Sequence, residues 1–384
     1  MPGVRREQGR LRKDIGLNPG LVTGRAVELA RQAGFNRAAI VDPRLLLPWA
    51  DRLPSRPGEL DQGPLVGMEW RWVTEPSTWS GTSAILVCCL SCLRVEPDDP
   101  SEPGDPHALV APFARAHYYR RAVALLRGVA EQLEKESGIP RSSIRLFSNS
   151  RIPEKPLLAA TAMAAFGKNG CAIVPGLGSM FVIAGAVIPV PTQAADFRRP
   201  EPPADPCGSC QRCRVACPAG AIERPFVVRH DLCLQGKAGC GEVFGEETLA
   251  AWGPRMYGCQ ECQAACPHNS GLKETAAAST GEIGPGVPLR VFLAESEAER
   301  KQRFRGTALG MSWIAADALL RNALVAAGNR GDSILRPLVE RHMADGPDHV
   351  RSAARWAWER LPVSYALRLN VVKNARMRKI GTAT

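Results

Sequence analysis

Apolar positions along this 384-residue chain follow two rhythms, one helical and one extended. Tyr118 to Ser137 repeats at helical spacing, with Ala122, Leu125, Leu126, Val129 and Leu133 on one face, and Gly138 closes the segment. Arg25 to Gly34 and Glu154 to Ala165 read as further helices. Ala38 to Asp42 and the continuous apolar run Ser83 to Leu93 read as strands, the second one buried on both faces. Ile173 to Val190 supplies more strands. A loop rich in Pro, Asp and Glu spans Glu96 to Pro106, and five prolines mark Pro191 to Pro206 as a linker. Near the end, Ala315 to Ala327, Asp332 to Met343 and Asp348 to Leu361 form successive helices joined by short turns.

The pattern predicts an α+β chain in three parts. Residues 1–190 form a mixed α/β domain and 191–206 the linker. Residues 207–270 form a cysteine-rich, ferredoxin-like module, and 271–384 a helical domain of HEAT-like pairs. No apolar run approaches the ~18 residues of a membrane helix. Arg5-Arg6 is not followed by the apolar region of an export signal, so a cytoplasmic, membrane-free protein is expected. Charge changes this picture at one end. The chain carries +11, and from Lys301 onward 15 Lys/Arg stand against 6 Asp/Glu, leaving +9 on the helical tail. Such a face suits either solvent or a phosphate backbone.

Nine of the 13 cysteines lie between Cys207 and Cys266, a density that in a reducing compartment means metal ligation. Cys207-x2-Cys210-x2-Cys213-x3-Cys217-Pro218 is the bacterial ferredoxin run, whose fourth cysteine serves a second cluster. The second half, Cys259-x2-Cys262-x3-Cys266-Pro267, has Met256 where its first cysteine would stand. By the crossed rule Cys207, Cys210, Cys213 and Cys266 hold one [4Fe–4S] cluster. Cys217, Cys259 and Cys262 hold the other, completed by Cys233 or Cys240. Two four-cysteine zinc sites are the rival reading, but the crossed order and the repeated Cys-Pro pair favour iron–sulfur. Cys88, Cys89 and Cys92 lie in an apolar strand and read as core, and Cys171 reads as structural.

The stretches Cys207 to Ile222 and Arg255 to Asn269 resemble epoxyqueuosine reductases, a family that reduces the epoxide of epoxyqueuosine in tRNA. Phe166-Gly-Lys-Asn-Gly170 and Gly178-Ser-Met-Phe-Val-Ile-Ala-Gly185 are similar to that family's corrinoid-domain segments. Gly67-Met-Glu-Trp-Arg71 is similar to a short motif containing arginine, and Leu320-Arg-Asn-Ala-Leu-Val-Ala-Ala-Gly-Asn329 to the entry of its helical domain. The resemblance implies a corrinoid-binding first domain and a cobalamin without its lower base, held in part by Arg71, Lys168 and Ser179. It assigns Cys233 as the remote ligand of the second cluster. It further implies a monomer, tRNA on the basic helices, and an electron donor such as flavodoxin or ferredoxin.

The chain departs from the family around the chemistry. The family's acid aspartate falls at position 148, which is serine here, with Asn149 beside it; neither can serve as a carboxylic acid. His117, Tyr118 and Glu154 remain as candidate proton donors. The segment Leu234 to Glu242 is more glycine-rich than its counterpart and carries the extra Cys240. Losing the acid leaves a second reading open: an electron-transfer protein with no catalytic site of its own.

Overall fold

A computed structural model describes residues 18–46, 83–93, 99–150, 152–192, 205–272 and 282–362. The expected Arg71 motif, most of the proline linker and the last residues of the chain lie outside these.

The first unit is a four-stranded antiparallel sheet between helices. It contains α1 (Pro19–Gln32), β1 (Arg37–Val41), β2 (Ala84–Ser91), β3 (His107–Val110), α2 (Tyr118–Ser137), β4 (Arg145–Ser148), α3 (Glu154–Ala160) and β5 (Phe181–Ile188). The sheet order is β1-β2-β5-β4, and β3 stands apart from it. Both faces of β2 are covered, which explains its unbroken apolar run: Leu86, Cys88 and Leu90 pack with α1 and α2, and Ile85, Val87 and Cys89 with α3. Cys88, Cys89 and Cys92 are core, as expected, and burial raises all three thiols, Cys89 to about 12.

Helix α2 keeps its predicted bounds, and Gly138 ends it in the left-handed conformation at φ 72°. Helix α1 starts six residues before the expected Arg25, because Asn18 caps it and Pro19 pre-sets its first turn. Helix α3 stops at Ala160 instead of Ala165; Ala162 turns left-handed at φ 56°, and Ala165–Phe166 pairs with Ala172–Ile173.

The cysteine-rich segment includes α4 (Arg212–Ala216), α5 (Leu234–Lys237), β6 (Arg255–Tyr257) and α6 (Glu261–Ala264), with a small hairpin (Ile222–Arg224 with Val227–Val228) and the helix Glu246–Trp252 between them. Beyond it come β7 (Gly286–Pro288), α7 (Ala316–Arg330), α8 (Arg336–Glu340) and α9 (Asp348–Arg360). The expected helix Asp332–Met343 is instead a 3-10 turn, Ser333–Leu335, followed by α8, whose first turn contains Pro337. No described helix is long and apolar enough to cross a membrane.

The linear division at residue 190 does not match the packing. Strand β3, from the first part of the chain, sits between β6 (parallel) and β7 (antiparallel). Ala108, Val110 and Ala114 join one core with Leu234, Trp252, Met256 and the buried faces of α7 and α9. Met256, the residue in place of a cysteine, is a fully buried member of that core.

Candidate cluster sites and the adjoining pocket

Each half of the cysteine motif bends around a one-turn helix. Cys213 lies within α4, while Cys217 caps its C-terminus in extended conformation, so the two sulfurs leave in different directions. In the second half Cys262 lies within α6, and Cys266, just past its end, is buried. Cys207, Cys210, Cys213 and Cys266 line one hollow of about 110 Å³, and they are the four residues the crossed rule puts together. Among the described residues no three such side chains gather tightly enough for a single metal ion. A zinc site needs four ligands about 2.3 Å from one point, whereas an iron–sulfur cube takes sulfurs spread around a volume.

In the second set the sulfur of Cys233, at the start of α5, interacts electrostatically with those of Cys262 and Cys217, and Cys259 with Cys262 and Cys233; Cys262 also feels Cys213 and Cys266 of the first set. Burial pushes Cys259 up to about 11 and also raises Cys233 and Cys266, so these thiols would need the charge of a bound metal to ionise at neutral pH. Cys240 is exposed, its thiol donating to the carbonyl of Lys237 at 3.2 Å.

Residues 166–170 straddle both cysteine segments. Lys168 is buried; its ammonium donates to the carbonyls of Gly208 (2.6 Å) and Cys210 (2.9 Å), and its backbone N–H points at Cys207 Sγ (3.4 Å). Lys168 therefore clamps the first-cluster loop and does not line the large pocket. The Asn169 amide reaches the carbonyl of Cys262.

A pocket of about 370 Å³ opens between the edge of the sheet and the second cysteine set. Its apolar wall includes Phe113, Ile152, Phe181 and Val182, and its polar rim Asn149, Ser179, Gln260 and Gln263. Cys171 also lines it, and its thiol interacts electrostatically with that of Cys262. Nothing in the sequence distinguished Cys171, Tyr119, Gln260 or Gln263 as pocket residues, because they arrive from three separate parts of the chain: α2, the turn before Ala172, and α6. Ser179 lies in the wall, but its hydroxyl donates to Gln263 Oε1 (3.0 Å) and its N–H to Asn269 Oδ1 (2.7 Å), which ties the pocket to the cysteine segment.

Of the three candidate acids, one faces the pocket. His117 is the buried N-cap of α2, its Nδ1 accepting from the N–H of Arg120 (3.3 Å); desolvation and Arg120 lower its pKa. Tyr118 is core, its hydroxyl near the carbonyl of Cys92. Glu154, the first residue of α3, lines the pocket and accepts from the Ser150 N–H at 3.0 Å. Desolvation outweighs that bond and raises its carboxyl to about 8. Ser148, where the family's aspartate falls, spends its hydroxyl on the carbonyl of Ile183 (2.8 Å).

Comparison with known proteins agrees with this geometry. Residues 206–269 match the family described as the 4Fe-4S double cluster binding domain. Epoxyqueuosine reductases from Bacillus subtilis (28% identical; 64% of this chain, 63% of that protein) and Burkholderia pseudomallei (31%; 59% and 56%) are similar in sequence. The chain thus aligns with less than two thirds of either protein's length. The Vibrio cholerae reductase matches at 25% over 86% of this chain and 89% of its own. Among solved structures, that of a selenomethionine-labelled epoxyqueuosine reductase superposes with TM-score 0.73 at 23% identity, covering 88% of this chain and 90% of that one. A second structure, an epoxyqueuosine reductase with an epoxyqueuosine-modified tRNA stem loop, superposes with TM-score 0.70 at 23% identity, covering 89% of this chain and 91% of that one. The resemblance to epoxyqueuosine reductases extends through sequence and fold.

Proposed function

We propose that this chain is an iron–sulfur, cobalamin-dependent reductase of the epoxyqueuosine reductase type, acting on epoxyqueuosine in tRNA. The observation that carries the proposal is the shared wall: the 370 Å³ pocket of the α/β unit is lined in part by Cys171, whose thiol interacts electrostatically with that of Cys262 in the second cysteine set. A plain electron carrier has no use for a pocket at that point, and the similarity to reductases over most of the chain speaks for the same reading.

The pocket residues suit a corrinoid. The apolar wall can pack against a flat macrocycle, while Asn149, Ser179, Gln260 and Gln263 can meet its peripheral amides. Bound there, cobalamin supplies low-valent cobalt able to remove an epoxide oxygen. Turning an epoxide into an alkene takes two electrons and two protons and releases water. In this reading the cysteine sets would deliver the electrons one at a time, and Glu154, which lines the pocket and is kept protonated by its surroundings, would give a proton to the departing oxygen. We read the helices α7 to α9 as HEAT-like, and the exposed Arg305, Arg341 and Arg355 of this part of the chain suit tRNA phosphates.

The test is anaerobic reconstitution with iron, sulfide and cobalamin, then electron paramagnetic resonance of the gel-filtered protein and an assay on tRNA carrying epoxyqueuosine. A base-off Co(II) signal that co-elutes with the protein, with conversion to queuosine, is the expected result. Reducible clusters with no retained cobalt would overturn it and leave an electron-transfer protein.

A further inference from the structure

The two cysteine sets are not equivalent with respect to the pocket. No cysteine of the second set lines it, but Cys171, which does, interacts most strongly with Cys262 of that set. The first set lines its own hollow, and none of its four cysteines lines the pocket. Electrons bound for the pocket therefore enter at the first set, and whatever donates them must come close to it.

The outer side of the first set has an unusual surface. Helix α4 carries Cys213 inward and Val215 outward, and Val215 is 85% exposed, more than any other large hydrophobic residue among those described. Three residues separate Cys213 from Cys217, and neither cysteine's geometry requires an apolar side chain at 215. Gln211, Arg212, Val215, Ala216 and Ala265 form a shallow open depression there. Arg212 belongs to both sides, lining this depression and also the first-cluster hollow. It is exposed and, among the described residues, makes no hydrogen bond or ion pair, whereas neighbouring Arg214 is tied to Gln211 and to the carbonyls of Ile222 and Glu223. No acidic residue lines the depression.

We propose that this face of α4 is the docking site of an acidic one-electron carrier protein. A small apolar centre with an unpaired cation beside it suits a brief redox encounter, which buries less than ~1,200 Å² and is steered by charge. The exposed valine argues against a nucleic acid as the occupant, since phosphate recognition calls for several free cations and gains nothing from an aliphatic spot. Each encounter oxidises the carrier by one electron and reduces the first cluster by one, with no bond made or broken. This proposal rests on the double-cluster assignment and not on the cofactor or substrate of the pocket.

The test uses the full chain with both clusters reconstituted, mixed anaerobically in a stopped-flow instrument with a fully reduced recombinant flavodoxin; bleaching of the cluster absorbance gives the second-order rate. Val215→Glu is expected to slow that rate about 10-fold or more, while iron content and reduction by dithionite stay as in the unaltered protein. Arg212→Glu is expected to slow it similarly and to flatten its dependence on salt. The midpoint potential of the Arg212→Glu first cluster, measured alongside, separates docking from driving force. If Val215→Glu disturbs cluster loading, Val215→Ser replaces it with the same readout. Unchanged flavodoxin rates in a valine variant with intact clusters would overturn the proposal, as would unchanged rates accompanied by weaker tRNA binding. Failure of the pocket chemistry leaves these rates untouched, so the two proposals fail separately.

Discussion

At Glu154 two physical effects compete. The start of a helix and an N–H from Ser150 favour the carboxylate, yet α3 has only seven residues and the side chain sits against the pocket wall, so desolvation prevails. Sequence alone shows Glu154 as an acidic residue at a helix start; the surrounding wall comes from strands and turns distant in the chain, so its perturbation was not legible. With a folded pKa near 8 against a usual 4.5, the acid form is the resting form at neutral pH, and ionisation sets in as pH rises through about 8. Epoxide reduction should then fall above that pH. Glu154→Gln should lose about 10²-fold or more in rate and lose this alkaline limb. The sign for stability is opposite: a raised carboxyl pKa weakens the fold progressively between about pH 4.5 and 8, so the glutamine variant should melt no lower than the parent at pH 8. A pH–rate profile and thermal melts check both. An unchanged profile would move the acid role elsewhere.

Between elements, the informative contacts were those that local periodicity could not reveal. Helix α7 could be read from its spacing, but not the task of Arg321 and Asn322 inside it. Both are fully buried. Arg321 donates to the carbonyls of Cys240 (2.6 Å), Glu242 (2.8 Å) and Lys237 (3.1 Å) and lies 3.8 Å over the Phe244 ring. Asn322 donates to Ala238 and Met256, both at 2.9 Å. The glycine-rich segment after Cys233 is thus held by side chains from one distant helix. Asn322→Leu strands two buried carbonyls and should cost about 2–3 kcal/mol in urea unfolding, with weaker retention of the second cluster. The turn at Gly178-Ser179, expected from resemblance to serve the corrinoid, also carries the contact between the α/β unit and the cysteine segment. A Cβ on Gly178 would stand 2.1 Å from Asn269 Oδ1 and 2.9 Å from the His268 carbonyl, at φ +69°. Gly178→Ala should part these surfaces, seen as faster hydrogen exchange in residues 262–270 with the helices of the α/β unit unaffected.

For the molecule as a whole, chain order and spatial order differ. Motif spacing marked out the double-cluster segment, which the family match over residues 206–269 bears out, because a cube imposes local geometry on a short loop. The domain boundary was not legible, because β3 leaves the α/β unit to sit between β6 and β7, a pairing that leaves no periodic mark. The crossed ligand order has the same character, and it decides where electrons travel. If Cys266 belongs with Cys207, Cys210 and Cys213, then Cys266→Ala and Cys210→Ala should each leave about half the iron and the same surviving paramagnetic signal. Cys233→Ala and Cys259→Ala should leave the other signal. The first pair should also lose fast reduction by flavodoxin, because the outer cluster is gone, while dithionite still reduces the remaining one. Should Cys266→Ala instead give the signal of Cys259→Ala, each half of the motif would hold its own cluster. The hollow lined by Cys207, Cys210, Cys213 and Cys266 would then have no role as a cluster site, and the route from α4 to the pocket would have to be redrawn.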